Sequence, residues 1–164
     1  MEKIIKPIKI SRENFAQYGD LITSDDISPI NINAGYAKRF DDLANLDTSK
    51  DGGKTIISIF SALKRKFPMK IDMMEKHPLG SQAFIPMKET TFLTFVAPQG
   101  KAPEIDKIQS FIVPPKAGVN YKPGTWHFPL ISTEDINFLV IDRKGNGENL
   151  IIHKFEKENI ILKY

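Results

Sequence analysis

Glu75-Lys76-His77-Pro78-Leu79-Gly80-Ser81-Gln82-Ala83-Phe84-Ile85-Pro86 is the stretch on which the reading of this chain turns. It reads as strand, turn, strand. Glu75 and His77 are two apart, so on a strand their side chains leave the same face. Pro78 and Gly80 punctuate the turn, and Gln82 opens the second strand. A hairpin of this kind carries a carboxylate, an imidazole and a carboxamide at one rim. Much later, Pro123-Gly124-Thr125-Trp126-His127 repeats the order of turn glycine and then inward histidine, which adds a fourth polar group.

Outward from this stretch the pattern is β. Thr55 to Phe60 is β-branched and apolar, and Met69, Ile71 and Met73 alternate with Lys70, Asp72 and Met74, which predicts a half-buried strand. Further strands are predicted over Gln82 to Met87, Thr91 to Val96, Phe111 to Val113, Trp126 to Ile131, Phe138 to Asp142 and Leu150 to Phe155. Turn signals separate them, among them Pro98-Gln99-Gly100 and Lys144-Gly145-Asn146-Gly147. Ser11 predicts a cap for a short helix from Arg12 to Tyr18, stopped by Gly19, and Glu104 to Gln109 fits one helical turn. Many short strands with frequent turns predict a mainly β barrel or sandwich with one or two short helices. No repeat, linker or low-complexity tract divides residues 1–164, so a single domain is expected.

Composition narrows the function. Lysine and arginine number 23 against 20 acidic residues, a net charge of +3. The basic residues are scattered, apart from Lys64-Arg65-Lys66, and no basic stripe with interleaved aromatics marks a nucleic-acid surface. The charge is compatible with a small anionic substrate. The absence of cysteine rules out disulfides, thiolate nucleophiles and thiolate metal sites. Met1 to Pro7 lacks the apolar core of a signal peptide, and no apolar run approaches a membrane span. A cytoplasmic location is therefore expected.

Glu75, His77, Gln82 and His127 are ligands by atom type, and imidazole and carboxylate suit nickel, zinc, manganese or iron. The alternative is a polar pocket in which the same groups meet substrate directly. His153, in a late strand without polar companions, reads as a packing or surface histidine. Arg39, near Asn33 and Gly35, has the guanidinium geometry to grip a carboxylate, or else to pair with Asp41 or Asp42. Lys88 and Arg143 are further anion candidates. Tyr121 is a candidate proton donor. No nucleophile elbow, phosphate loop or dinucleotide fingerprint is present.

Four segments, in order along nearly the whole chain, resemble the ureidoglycolate lyase family, also called ureidoglycolate hydrolase. They are Ile32-Asn33-Ala34-Gly35 through Arg39 to Ala44; Glu75 to Met87; Gly118-Val119-Asn120-Tyr121 through Trp126-His127-Phe128-Pro129-Leu130; and Phe138 to Arg143. Phe15 to Gly19-Asp20 adds to them. The resemblance implies a cupin-type β-barrel, a homodimer, and cleavage of (S)-ureidoglycolate to glyoxylate and urea. It also implies a divalent metal, nickel. Lys76 and Lys122-Pro123 depart from the family's usual residues beside the expected site.

On that reading Glu75, His77, Gln82 and His127 hold the metal, and His127 is alternatively the base. Tyr121 is a proton donor, Arg39 clamps the carboxylate, and Asn33, Gln82 and Trp126 complete the substrate-binding set. Two other activities fit the same groups less well: an amidohydrolase that releases ammonia, and a non-catalytic cupin that binds a small acid.

Overall fold

The computed structural model describes residues 2–164. The strands are β1 (Glu2–Ile5), β2 (Ile8–Lys9), β3 (Gly19–Ile22), β4 (Ile30–Ile32), β5 (Ala37–Arg39), β6 (Lys54–Ala62), β7 (Met69–Ile71), β8 (Met73–Lys76) and β9 (Gln82–Pro86). They continue with β10 (Phe92–Ala97), β11 (Gln109–Val113), β12 (Gly118–Tyr121), β13 (Trp126–His127), β14 (Ile131–Ser132), β15 (Ile136–Lys144), β16 (Ile151–Lys154) and β17 (Asn159–Leu162). One α-helix, α1 (Arg12–Phe15), begins at a Ser11 capping box, in which the Ser11 and Asn14 side chains each take the other's backbone N–H. It is shorter than expected, because the cap serves a single turn before Gly19 starts β3.

Two sheets face each other. One runs β3-β12-β9-β15-β6; the other runs β16-β8-β13-β10-β11-β2, with β14 also on β10. Between them lies a core that includes Phe15, Tyr18, Phe84, Phe111, Phe138 and Val140. A third, three-stranded sheet, β1-β17-β7, covers the outer side of the second. There a second core gathers Met74, Phe95, Trp126, Phe128, Ile160 and Leu162. β10 is therefore buried on both faces, which is why Phe92 to Ala97 is apolar almost without alternation.

The architecture is mainly β with little helix, as expected from the sequence, and is built as two facing sheets consistent with a cupin-like fold. Among the described residues the ladders of the two facing sheets do not join into a closed ring. The ends stay open, and one of them forms the mouth of a cavity.

The decisive stretch is not a hairpin. β8 pairs with β13 and β16, whereas β9 pairs with β12 and β15, so the two strands belong to different sheets. Residues 77–81 cross from one sheet to the other. The crossing is held by partners distant in sequence: Leu79 N–H donates to Asn149 Oδ1 at 2.8 Å, and Ser81 N–H donates to Asp47 O at 2.7 Å. Gly80 is required there, because a Cβ would lie 2.6 Å from the Cβ of Arg143. Met69 to Met73 likewise divides at Asp72, with β7 leaving for the outer sheet.

Candidate active site and metal centre

Strand alternation brings the polar groups to one end of the inner core. On β12, Val119 and Tyr121 face inward; on β9, Gln82 and Phe84 do; on β15, Phe138 and Val140 do. His127 lies opposite Glu75 across the β13–β8 ladder. His77 follows β8 by one residue. Glu75, His77 and His127 offer ligand atoms that all lie within 4.8 Å of one another. His127 Nε2 is 3.5 Å from Glu75 Oε1, and His77 Nε2 is 3.8 Å from the same oxygen.

The backbone settles what these atoms are. His77 Nδ1 lies 2.7 Å from Asn149 O, and His127 Nδ1 lies 3.0 Å from Thr125 O. A carbonyl only accepts, so both Nδ1 atoms carry a hydrogen, and the neutral form of each ring turns a lone pair inward at Nε2. Both Nε2 atoms are buried without a hydrogen-bond partner. Burial pushes the His77 imidazole below its ordinary pKa, with His127 adding to the effect, which keeps the ring neutral. Burial alone would raise the Glu75 carboxyl, but a hydrogen bond and positive charge from the His127 imidazole in its protonated form, and then charge on His77, bring it below its ordinary value, and it is ionised at neutral pH.

With both Nε2 atoms unprotonated, three electron-pair donors converge on one point. A divalent cation fits this set. Two imidazoles and one carboxylate leave open positions for substrate, and each ring is oriented by a carbonyl behind it, as metal-bound histidines are.

Tyr121 lies flat on His127, with ring centroids 4.5 Å apart and an interplanar angle of 15°. Burial, and then the Glu75 charge, push its hydroxyl far above the ordinary tyrosine range, so it stays protonated. Gln82 is 6 % exposed. It lines a cavity of about 560 Å³ together with Glu75, Phe60, Phe84, Leu130 and Lys64. The Pro123-Gly124 turn ties the two histidine segments together. Gly124 adopts φ +81°, and its N–H donates to His77 O at 2.8 Å.

Other expected residues lie elsewhere. Trp126 points out of the opposite face from His127, into the second core. There its indole N–H donates to Gly100 O at 3.1 Å, and Lys76 Nζ sits 4.6 Å above the ring. Adjacent strand residues point to opposite faces, so Trp126 faces away from the side on which His127 meets Glu75. Arg39 is exposed on the separate β4–β5 ribbon, where it donates to Asp41 Oδ1 through both Nε and Nη2, the latter at 2.8 Å. Asn33 lies in the exposed turn of the same ribbon. Lys88 pairs with Glu134 at 2.7 Å. Arg143 is turned away from the interior and holds the carbonyls of Lys50 and Asn146. The cations that line the cavity are Lys64 and Arg65, from the basic trio.

One inward residue was not singled out from the sequence. Asp142 continues the row Phe138, Val140 on the inner face of β15, and its carboxylate acts electrostatically on His77. The two-residue alternation of that strand was the signal that could have found it.

Comparison with known proteins agrees with this geometry. A family profile described as ureidoglycolate lyase matches residues 2–162. The chain belongs to the ureidoglycolate lyase family. The ureidoglycolate lyase of Pseudomonas putida strain F1 is 42% identical over 160 residues, covering 97% of this chain and 95% of that one. The ureidoglycolate lyase of Pseudomonas syringae pv. tomato is 44% identical over 149 residues, 90% and 88% of the two chains. That of Burkholderia mallei is 40% identical over 142 residues, 86% and 83%. Family membership thus extends over the whole roll, both facing sheets and the outer one included.

Proposed function

We propose that this protein is a ureidoglycolate lyase that cleaves (S)-ureidoglycolate to glyoxylate and urea. The convergence of Glu75 Oε1, His77 Nε2 and His127 Nε2, three potential metal ligands beside a cavity that Glu75 lines, carries the reading within this family. These three residues would hold a divalent ion, with nickel the one implied by the family resemblance. When bound, the ion supplies Lewis acidity that lowers the pKa of the substrate hydroxyl.

The chain's own residues do the rest. The reacting carbon bears a hydroxyl, a carboxylate and the ureido nitrogen. The hydroxyl loses its proton, the C–O bond becomes a carbonyl, the C–N bond breaks and the nitrogen gains a proton. No water is consumed. Both imidazoles meet the same oxygen of Glu75, so its other oxygen is the atom left to take the hydroxyl proton. His127 would be the base only if it were not a ligand, and its unpaired Nε2 beside a second one favours the ligand role. Tyr121, kept protonated by burial, is positioned to donate to the departing nitrogen. Lys64 and Arg65 at the cavity give the substrate carboxylate a positive approach.

A homodimer and a cytoplasmic location go with this reading. The outer face of β6 and β15 supports the dimer. There Ile57 pairs with Ile141 and Ile59 with Leu139, and Ile57 and Ile59 are exposed. In a twofold contact the same apolar patch of both subunits would face itself.

The test is turnover of ureidoglycolate with product identification, before and after chelation and with nickel added back. Urea and glyoxylate in equal amounts, lost on chelation and restored by nickel, are expected. Ammonia in place of urea would establish the amidohydrolase instead, and binding without turnover would establish a non-catalytic acid binder.

A further inference from the structure

Two buried acceptor atoms belong to a pair of hydrogen-bonded side chains near the donor triad, Gln82, which lines the cavity with Glu75, and Asp142, whose charge acts on His77. Gln82 Nε2 donates to Asp142 Oδ2 at 3.3 Å. The β15–β9 register pairs Ile141 with Ala83, and one step further along it sets Asp142 opposite Gln82. Turning the amide over would place oxygen against oxygen, so the bond to Asp142 fixes Gln82 with its carbonyl oxygen free. Gln82 Oε1 and Asp142 Oδ1 are both buried and both without a hydrogen-bond partner. Two unpaired acceptors out of water are costly unless a ligand brings donors to them.

We propose that Asp142, held by Gln82, is the recognition residue for the ureido group, with Asp142 Oδ1 and Gln82 Oε1 accepting its N–H donors. The inference rests on the proposed substrate. The rest of the cavity would serve the substrate's other end: the triad and the lysine and arginine at its edge suit hydroxyl and carboxylate oxygens. A ureido group differs from these because it presents N–H donors. A neutral urea can meet a carboxylate with two parallel N–H bonds, the geometry that makes carboxylate pairing selective. A site that leaves buried acceptors unpaired discriminates strongly against ligands that lack the matching donors. Asp142 therefore separates ureido acids from simple hydroxy acids of the same charge.

The experiment measures calorimetric binding of two stable probes. N-carbamoylglycine has the carboxylate and the ureido group; glycolate has the carboxylate and the hydroxyl. Wild type is expected to prefer the ureido probe, and Asp142→Asn, which keeps the shape but puts a donor at the acceptor position, is expected to weaken that probe roughly tenfold or more. Glycolate affinity should stay within about threefold. Equal loss for both probes, or loss for neither, overturns the proposal. A ligand-side test needs no variant. Dimethylation of the terminal nitrogen of N-carbamoylglycine removes donors and should cost wild type a similar factor; unchanged affinity overturns the proposal. Turnover of ureidoglycolate, followed in the same preparation, reports separately on the reaction. Its absence alongside ureido-selective binding would reject the lyase and leave the recognition role standing.

Discussion

Trp126 and His127 are neighbours in the chain and occupy opposite environments. Trp126 enters the outer core, where its N–H has an acceptor and its ring has a cation above it. His127 faces inward beside Glu75 and Tyr121, where its Nε2 is buried without a hydrogen-bond partner. The same contrast holds one strand away. Met74 is fully buried among apolar side chains, and Glu75 beside it faces two imidazoles. Both faces of the seven-stranded sheet pack against a core, but the inner one ends in imidazole nitrogens that are buried without partners. Stability should reside on the outer face and chemistry on the inner one.

Substitution at each face tests that division, and the largest effect belongs to the cavity. His127→Ala should lower kcat roughly 10²-fold or more, as loss of a ligand or proton-transfer group does, with only a small change in melting temperature. A large fall in stability with it would mean that the imidazole also holds the sheet together. Trp126→Ala should do the reverse, at a cost of about 3–5 kcal/mol in denaturant unfolding. The kcat of the folded fraction should stay close to normal, and loss of turnover in fully folded protein would contradict the assignment.

Alkaline unfolding separates the faces more gently. The Tyr121 hydroxyl is raised by burial, so above the ordinary tyrosine pKa of about 10 the unfolded state releases a proton that the folded state keeps. Its stabilising contribution is complete below pH 10 and is lost as pH rises, by about 1.4 kcal/mol per pH unit. Tyr121→Phe should flatten this slope, and an unchanged slope would show that the hydroxyl does not govern it. The smallest effect belongs to the β4–β5 ribbon. Arg39→Ala should leave the KM within about threefold, in keeping with an exposed pair worth at most about 1 kcal/mol. A tenfold rise would mean that a second copy of the chain carries this ribbon to the cavity.

The sequence revealed the parts that depend on local pattern. The apolar run of β10, the Ser11 cap and the paired Glu75 and His77 follow from spacing two or three residues apart. His153, read as a packing histidine, does lie edge-on to Trp126 and Phe155. What was not legible depends on pairing between distant strands. Residues 75–86 have the composition of a hairpin, and only Asn149 and Asp47, brought in from elsewhere, turn them into a crossover. Trp126 seemed a site residue because it adjoins His127, although alternation sends neighbours to opposite faces. Asp142 adjoins Arg143 in sequence, and alternation along β15 sends the two to opposite faces.

Asn149 links distant parts of the chain. Its backbone carbonyl fixes the tautomer of His77, and its side chain holds Leu79, at the start of the passage between the sheets. Asn149 itself follows a surface loop, Gly145 to Glu148, that touches none of the reacting groups. A change in the length of that loop would rotate an imidazole more than seventy residues upstream. The reach of this enzyme's chemistry therefore extends to a peripheral bend, and attempts to shorten or graft that bend should be judged first by metal affinity.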